Sequence, residues 1–253
     1  MPDNFKISAA IVTYNDGDKA AAAVSSVIAH CKKYPLDFYI IDNNSSDDTL
    51  SRIEKLIPSE NIIRLKKNIG FGAAHNKVLN VIKSRYHFVI NPDITVNYDV
   101  FADMVDFFEK NPDAVMLSPC ILNTDKTVQQ LPKSVPDFKK LFLGRLSKKI
   151  RSEYVWADRE ITEPCEIDFS SGCFFSIKSE EFKKLAGFDE RYFMYLEDAD
   201  LTLRAKNLGK VLFLPSVKVT HIWGRGSHKD LRLLFIHIAS CFKFLIKWRG
   251  YKK

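Results

Sequence analysis

Ile7 to Tyr14 reads ISAAIVTY, an apolar, β-branched run without polar alternation, which is the pattern of a strand buried on both faces. The polar turn Asn15-Asp16-Gly17-Asp18 follows, then a stretch whose Val24, Val27, Ile28 and Cys31 share one helix face. The same alternation recurs. Phe38 to Ile41 predicts a second strand, and Asp42 to Ser46 supplies capping side chains for a helix faced with Leu50, Ile53 and Ile57. Ile62 to Leu65 predicts a third, after which Asn68-Ile69-Gly70-Phe71-Gly72 leads into a helix carrying Val78, Leu79 and Ile82. Phe88 to Ile90 predicts a fourth, ending at Asn91-Pro92-Asp93. Four strand–helix units with short connections imply an α/β fold with a Rossmann-like, doubly wound and mostly parallel sheet. From about 123 to 165 no period is visible and Pro132, Pro136 and Pro164 interrupt the chain, so a loop-rich insertion is expected. A helix through Leu201, Ala205 and Leu208, stopped by Gly209, and a short strand Val211 to Leu214 come later. No internal repeat is present.

In open α/β sheets, ligands bind at the carboxyl ends of the strands. Here each of those ends is polar: Thr13-Tyr14-Asn15, Asp42-Asn43, Asn68-Ile69-Gly70 and Asn91-Pro92-Asp93. One polar end is a turn; four converging on one edge form a crevice. The first turn lacks GxGxxG, which argues against a nicotinamide dehydrogenase. Glu197, Asp198 and Asp200 fall at a predicted helix N-terminus, where the helix dipole favours ionised carboxylates. Helix capping is the plain reading of that cluster, and a surface or core position is the plain reading of His221. Taken with Asp93, however, they offer oxygen and imidazole ligands suited to Mg²⁺ or Mn²⁺, which would neutralise a diphosphate leaving group.

Composition adds bounds. The 253 residues are 46% hydrophobic and 27% charged, an ordinary globular profile for one domain with a small appendage. No run of eighteen apolar residues exists, and Met1 to Lys6 lacks the basic region and apolar core of a signal peptide. Five cysteines without a CxxC pair lead us to expect a reduced, cytosolic protein with no disulfide framework and no structural zinc.

Charge changes the picture more. The net charge of +7 resides entirely in Arg225 to Lys253, where eight Lys/Arg face one acid; the preceding 224 residues balance. From Lys229 to Trp248 a helical wheel groups Lys229, Arg232, Ser240, Lys243 and Lys247 in one stripe. Leu234, Phe235, Ile238, Phe242, Leu245 and Ile246 lie mainly away from it. A basic amphipathic helix with Trp248 and Tyr251 near its end fits a bilayer interface; packing on the body or on a second subunit is the alternative. A second basic cluster, Lys139 to Arg151, holds six basic residues and no acid. Both could bind anionic headgroups. The division expected is therefore 1–227 for the α/β body and 228–253 for an amphipathic, membrane-associating helix. Confinement of the charge argues against nucleic acid.

Seven pieces of the chain, in order over residues 7 to 227, resemble the inverting bacterial glycosyltransferases of family 2, with their GT-A fold. They are IVTYN (11–15), IDNNSSDDT (41–49), NIGFGAAHN (68–76), NPDI (91–94), SSGCFFSIK (170–178), GFDERYFMYLEDADLTLR (187–204) and VKVTHIWGRGS (217–227). Within the family they are most similar to rhamnosyltransferases of O-antigen and cell-wall polysaccharide assembly. The resemblance implies that Thr13, Asn15 and Asp42 contact the nucleobase and ribose, and that Asn68, Gly70 and Asn76 shape the nucleotide pocket. It implies Asp93 as the last Asp of the DxD motif and His221 as a second ligand of Mg²⁺ or Mn²⁺. Asn91 stands at the motif's first position, leaving one carboxylate there. Asp198 is implied as general base with Glu197 as its rival, and Arg204 either orients that loop or approaches the diphosphate.

The implied reaction attacks the anomeric carbon with an acceptor hydroxyl while a nucleoside diphosphate leaves from the opposite face. dTDP-rhamnose is the favoured donor; UDP-linked galactofuranose, N-acetylglucosamine, glucose or galactose would need the same nucleotide-binding residues. A polyprenyl-diphosphate-linked saccharide is the implied acceptor, and the cytoplasmic face of the plasma membrane the implied location. A sugar nucleotidylyltransferase would share the sheet and metal, but the acidic Asp16-Gly17-Asp18 turn would repel a triphosphate.

Overall fold

The computed structural model describes residues 5–130, 132–144, 147–156, 159–222 and 231–251. Its strands are β1 (Ile7–Thr13), β2 (Leu36–Asp42), β3 (Ile62–Arg64), β4 (Tyr86–Ile90), β5 (Ile94–Thr95), β6 (Ala114–Leu122), β7 (Val128–Gln130), β8 (Cys165–Glu166), β9 (Phe174–Lys178) and β10 (Lys210–His221). Its helices are α1 (Gly17–His30), α2 (Thr49–Ile53), α3 (Phe71–His75), α4 (Val100–Lys110), α5 (Lys148–Tyr154), α6 (Ser179–Lys184), α7 (Glu197–Ala205) and α8 (Leu231–Lys247).

The strands form one sheet in the order β3-β2-β1-β4-β9-β6-β10-β5, with β7 beside β6 and β8 beside β10. β1 pairs in parallel with both β2 and β4. β9 is inserted antiparallel between β4 and β6, while β6 and β10 run parallel. From β3 across to β10, every strand except β9 therefore shares one direction. The sheet is mostly parallel, as the alternation of strands and helices predicts.

Burial on both faces explains the apolar strands. One face packs Ile7, Ala9 and Ile11 of β1, with Phe88 and Phe174, against Val24 and Val27 of α1 and Phe101, Met104 and Phe108 of α4. The other packs Val12, Val89 and Phe175 against Val78, Phe182 of α6 and Leu201 of α7. Adjacent Phe174 and Phe175 thus anchor opposite layers, which is why β9 is fixed in register between two parallel groups.

Two parts differ from the sequence reading. The helix expected around Val78 to Ile82 is instead α3 followed by a 3₁₀ turn, Asn76–Val78. The stretch from 123 to 165 holds more structure than a loop: β7, a π-helical turn at Lys139–Leu143 and α5. Arg145 and Leu146 of its basic cluster lie outside the described residues.

α8 is part of the folded body. Cys241 and Phe244 are buried with Phe169, Tyr192, Leu196, Ala199 and Leu203 in a third apolar cluster. The orientation reverses the simplest reading of the wheel. Ser240 is buried and donates to the Met194 carbonyl at 2.8 Å, and Lys247 reaches Asp189 at 2.8 Å and Asp200 at 2.6 Å. Part of the polar stripe therefore faces the protein, because carboxylates wait there. Leu231, Phe235, Phe242 and Ile246, 52 to 73% exposed, face outward. Lys229 of the stripe lies outside the described residues. No described helix is long and apolar enough to cross a membrane.

Candidate active site

A crevice of about 490 Å³ opens at the carboxyl ends of β1, β2 and β4. Val12, Thr13, Tyr14 and Asp16 come from the end of β1, Asn43 follows β2, and Asn68, Gly70 and Phe71 lead into α3. Asn91, Pro92 and Asp93 follow β4, and Phe193 and Met194 precede α7. Side chains far apart in sequence meet because parallel strands all end on one edge.

The rim is fixed by its own amides. Asn43 donates to the Asn68 side chain at 3.0 Å and accepts the Ile69 N–H at 2.9 Å. Gly70 adopts φ +89°, and a Cβ there would collide with the Phe193 carbonyl, to which Phe71 N–H donates at 2.9 Å. Only glycine meets both demands. Thr13 lines the crevice wall, and its Oγ1 is buried without a hydrogen-bond partner.

Not every implied nucleotide contact reaches the crevice wall. Asp42 is buried and its carboxylate accepts the Ser45 N–H at 3.1 Å, while Asn15 accepts the Ser46 N–H at 2.8 Å. Asn76 is spent behind the wall, donating to the Phe188 carbonyl and accepting the Phe188 N–H, each at 2.8 Å. Arg204 binds Asp200 at 2.8 Å and donates to the carbonyls of Leu185 and Gly187, each at 2.8 Å. That is the loop-orienting arrangement, directed away from the crevice. Asn43 and Asp16 line the crevice but were not singled out as contacts, although Asn43 stands in one of the polar strand ends that defined it and Asp16 in the turn after the first.

Asp93 and His221 do come together. β5 pairs antiparallel with β10 so that His221 lies opposite Ile94, and the Ile222 N–H donates to the Asp93 carbonyl at 2.8 Å. His221 Nε2 then stands 3.1 Å from Asp93 Oδ1, with Nδ1 2.5 Å from the Gln129 amide oxygen. The Asp93 approach lacks hydrogen-bonding alignment, so Oδ1 stays buried and unsatisfied, as does Asn91 Oδ1. Unsatisfied buried oxygens beside an imidazole form a donor set that fits a hard divalent cation. Among the described residues no three His, Cys, Asp or Glu side chains cluster, so Asp93 and His221 are a partial donor set. The segment from Trp223 to Ser227, also part of the family-like motif, lies outside the described residues.

Asp198 opens α7. It accepts the Gly172 N–H at 2.9 Å and the Ala199 N–H at 2.9 Å. Burial pushes its carboxyl up, and nearby Lys133 together with those N–H groups pulls it back. Glu197 is the more deeply buried of the two. Burial and then the Asp198 charge hold its carboxyl well above the ordinary glutamate value, and its Oε2 has no partner. Asp200 is buried and structural, bound by Arg204, Lys247 and the Trp248 indole.

Lys133 is a third residue the sequence did not single out, for it lies in the segment read as insertion. An isolated bridge pairs it with Phe169, its ammonium sits 4.8 Å above the Phe169 ring, and it shares a small cavity with Ser171.

Comparison with known proteins fits this geometry. The chain belongs to glycosyl transferase family 2, whose model matches residues 8–185. It is 27% identical to the N-acetylglucosaminyl-diphospho-decaprenol L-rhamnosyltransferase of Mycobacterium tuberculosis, over 92% of this chain and 82% of that one. It is 26% identical to the rhamnosyltransferase WbbL of Escherichia coli K12, over 71% of each. Among solved structures it resembles GalNAc-T7 with UDP, GalNAc and Mn²⁺, at TM-score 0.71 and 18% identity over 99% of this chain. The chain spans about half of that protein, 49%. It also resembles the mannosyltransferase PcManGT of Pyrobaculum calidifontis with GDP-Man and Mn²⁺, at TM-score 0.66 and 16% identity, covering 100% of this chain and 67% of that one. These two likenesses concern the fold, a GT-A glycosyltransferase fold.

Proposed function

We propose that this enzyme transfers L-rhamnose from dTDP-rhamnose, with inversion, to a hydroxyl of a saccharide carried on a polyprenyl diphosphate. The names of the two rhamnosyltransferase relatives support the sugar, and the decaprenol-linked substrate in one of those names supports the acceptor. What carries the chemistry is the Gly172–Cys173 turn. Gly172 N–H holds the Asp198 carboxylate at 2.9 Å, and the Cys173 carbonyl accepts the Asn91 N–H at 2.8 Å. One turn therefore locks the base to the Asn91–Asp93 corner of the donor crevice.

Asp198 takes the proton of the attacking hydroxyl, and its raised carboxyl suits it as proton acceptor better than a fully solvated one. Glu197 is buried, its carboxyl is held well above the ordinary glutamate value by burial and the Asp198 charge, and it does not line the crevice. Thr13, Asn43, Asn68 and the Gly70 backbone hold the nucleotide at the strand ends. Asp93 and His221 would hold Mg²⁺ or Mn²⁺, which supplies positive charge for the departing diphosphate. A single displacement inverts the anomeric carbon.

The outer strip of α8 supports a peripheral seat on the cytoplasmic face of the plasma membrane. Phe242 packs 5.9 Å from Phe142, so the strip continues into Phe138 and Leu143, with Lys139, Lys148 and Lys149 exposed nearby. Apolar contact ringed by lysines fits anionic lipid, at about 1 kcal/mol for each basic residue near the surface.

Titration with dTDP, UDP, GDP and CDP, with and without Mn²⁺, tests the donor. Metal-enhanced preference for dTDP is expected; preference for UDP discards rhamnose, and binding of none discards the nucleotide crevice.

A further inference from the structure

Resting on that reading of the crevice, the outer wall opposite the sheet has an unexpected source. Arg232, Leu233 and Ile236 of α8 line the same cavity as Asn91 and Asp93. α8 thus has two working faces: Leu231, Phe235 and Ile246 point outward, while Arg232, Leu233 and Ile236 close over the nucleotide side. Its position is pinned beside the crevice, because Ser240 holds the carbonyl of Met194, itself a lining residue.

Charge shows what this wall does. Among the described lining residues the carboxylates are Asp16 and Asp93; burial pushes the Asp16 carboxyl up, nearby Lys19 opposes this, and the Asp93 charge adds to it. A nucleoside diphosphate brings further negative charge into this acidic corner. With Asn91 in place of a second acid, a cation at Asp93 has a weaker hold than a two-carboxylate site would give. A guanidinium forms paired, charge-assisted hydrogen bonds with phosphate oxygens, and Arg232 is the arginine the fold delivers to this cavity.

We propose that Arg232 binds the diphosphate of the donor, so that the C-terminal helix is the fourth wall of the donor site and not only a tail. Leu233 and Ile236 exclude water from the same side.

The test compares a nucleoside diphosphate with its monophosphate. By calorimetry in Mn²⁺, the diphosphate that the unmodified enzyme binds tightest among dTDP, UDP, GDP and CDP is titrated against Arg232→Ala, alongside the matching monophosphate. Arg249→Ala, which removes the same charge near the far end of the helix, is the control. Arg232→Ala is expected to weaken the diphosphate at least tenfold while moving the monophosphate less than twofold. Arg249→Ala should move neither, and Arg232→Lys should restore part of the loss. Equal weakening of both ligands, no weakening, or the same loss in Arg249→Ala overturns the assignment. If the unmodified enzyme binds no nucleotide, the crevice reading falls with it. A thermal melt unchanged by Arg232→Ala shows that the loss is not unfolding.

Discussion

Two adjacent carboxylates show how environment divides labour. Asp198 is half-buried, bound by two backbone N–H groups and close to a lysine; Glu197 is sealed, with one oxygen unpartnered. Asp198→Asn should lower transfer by about 10²- to 10⁴-fold, the usual range for losing a general base, while calorimetry finds nucleotide affinity within twofold. Because burial raises its carboxyl, transfer by the unmodified enzyme should rise with pH through a midpoint above the ordinary aspartate value. Glu197 predicts a stability effect instead. Folded Glu197 keeps its proton to higher pH than unfolded Glu197, so its contribution is full below about 4.5 and is lost as pH rises through the folded value. Glu197→Gln should flatten that decline in a series of denaturant melts. The side chains of this site were legible in sequence as types; their directions were not. Asn76 and Arg204 stand in motifs that line a nucleotide site, yet hydrogen bonds to Phe188, Leu185 and Gly187 turn both away from it. Asn76→Ala should therefore cost about 1 to 3 kcal/mol of stability, a thermal shift of several degrees, with little change in nucleotide affinity.

α8 was the element whose sequence pattern was clear and whose placement was not. A wheel shows which residues share a stripe, but which stripe faces inward depends on what the body offers. Asp189 and Asp200 offer carboxylates to Lys247, and Phe169 and Tyr192 offer a cleft to Phe244. Truncation after Gly226 should accordingly destabilise the whole protein, since Phe244 alone contributes about 3 to 5 kcal/mol against alanine. Phe235→Ser combined with Phe242→Ser removes mainly exposed apolar surface, together with the ring contact of Phe242 on Phe142. That pair should lower co-sedimentation with phosphatidylglycerol vesicles at least tenfold and shift the melting temperature far less than the truncation does. Loss of a dimer in sedimentation with vesicle binding intact would instead make the strip a subunit contact. At the other extreme, β1, β2 and β4 were readable because two-sided burial demands unbroken apolar runs. β9 escaped notice as a strand because antiparallel insertion between parallel neighbours depends on contacts far away in the chain.

Across the whole molecule, the sheet brings four polar strand ends to one edge, and everything with a chemical role gathers there or is held against it. β10 is the long strand that carries His221 back to Asp93, and the 123–165 segment returns Lys133 to the neighbourhood of Asp198. Sequence order could place the motifs along the chain, but strand register alone brings His221 opposite Ile94. On the proposed reading, the same architecture gives α8 two roles, one face lining the crevice with Arg232, Leu233 and Ile236 and the other offered to lipid. Phosphatidylglycerol vesicles should therefore tighten nucleoside diphosphate binding by the unmodified enzyme, measured by calorimetry, and leave the Phe235→Ser and Phe242→Ser pair unaffected.

The most direct measurement is nuclear magnetic resonance of the product formed from dTDP-rhamnose and a polyprenyl-diphosphate-linked N-acetylglucosamine in Mn²⁺, with Asp198→Asn run in parallel. Rhamnosylated lipid with inverted anomeric configuration, absent from the Asp198→Asn reaction, is the result expected. Retained configuration, or undiminished product from Asp198→Asn, would contradict a single displacement driven by Asp198.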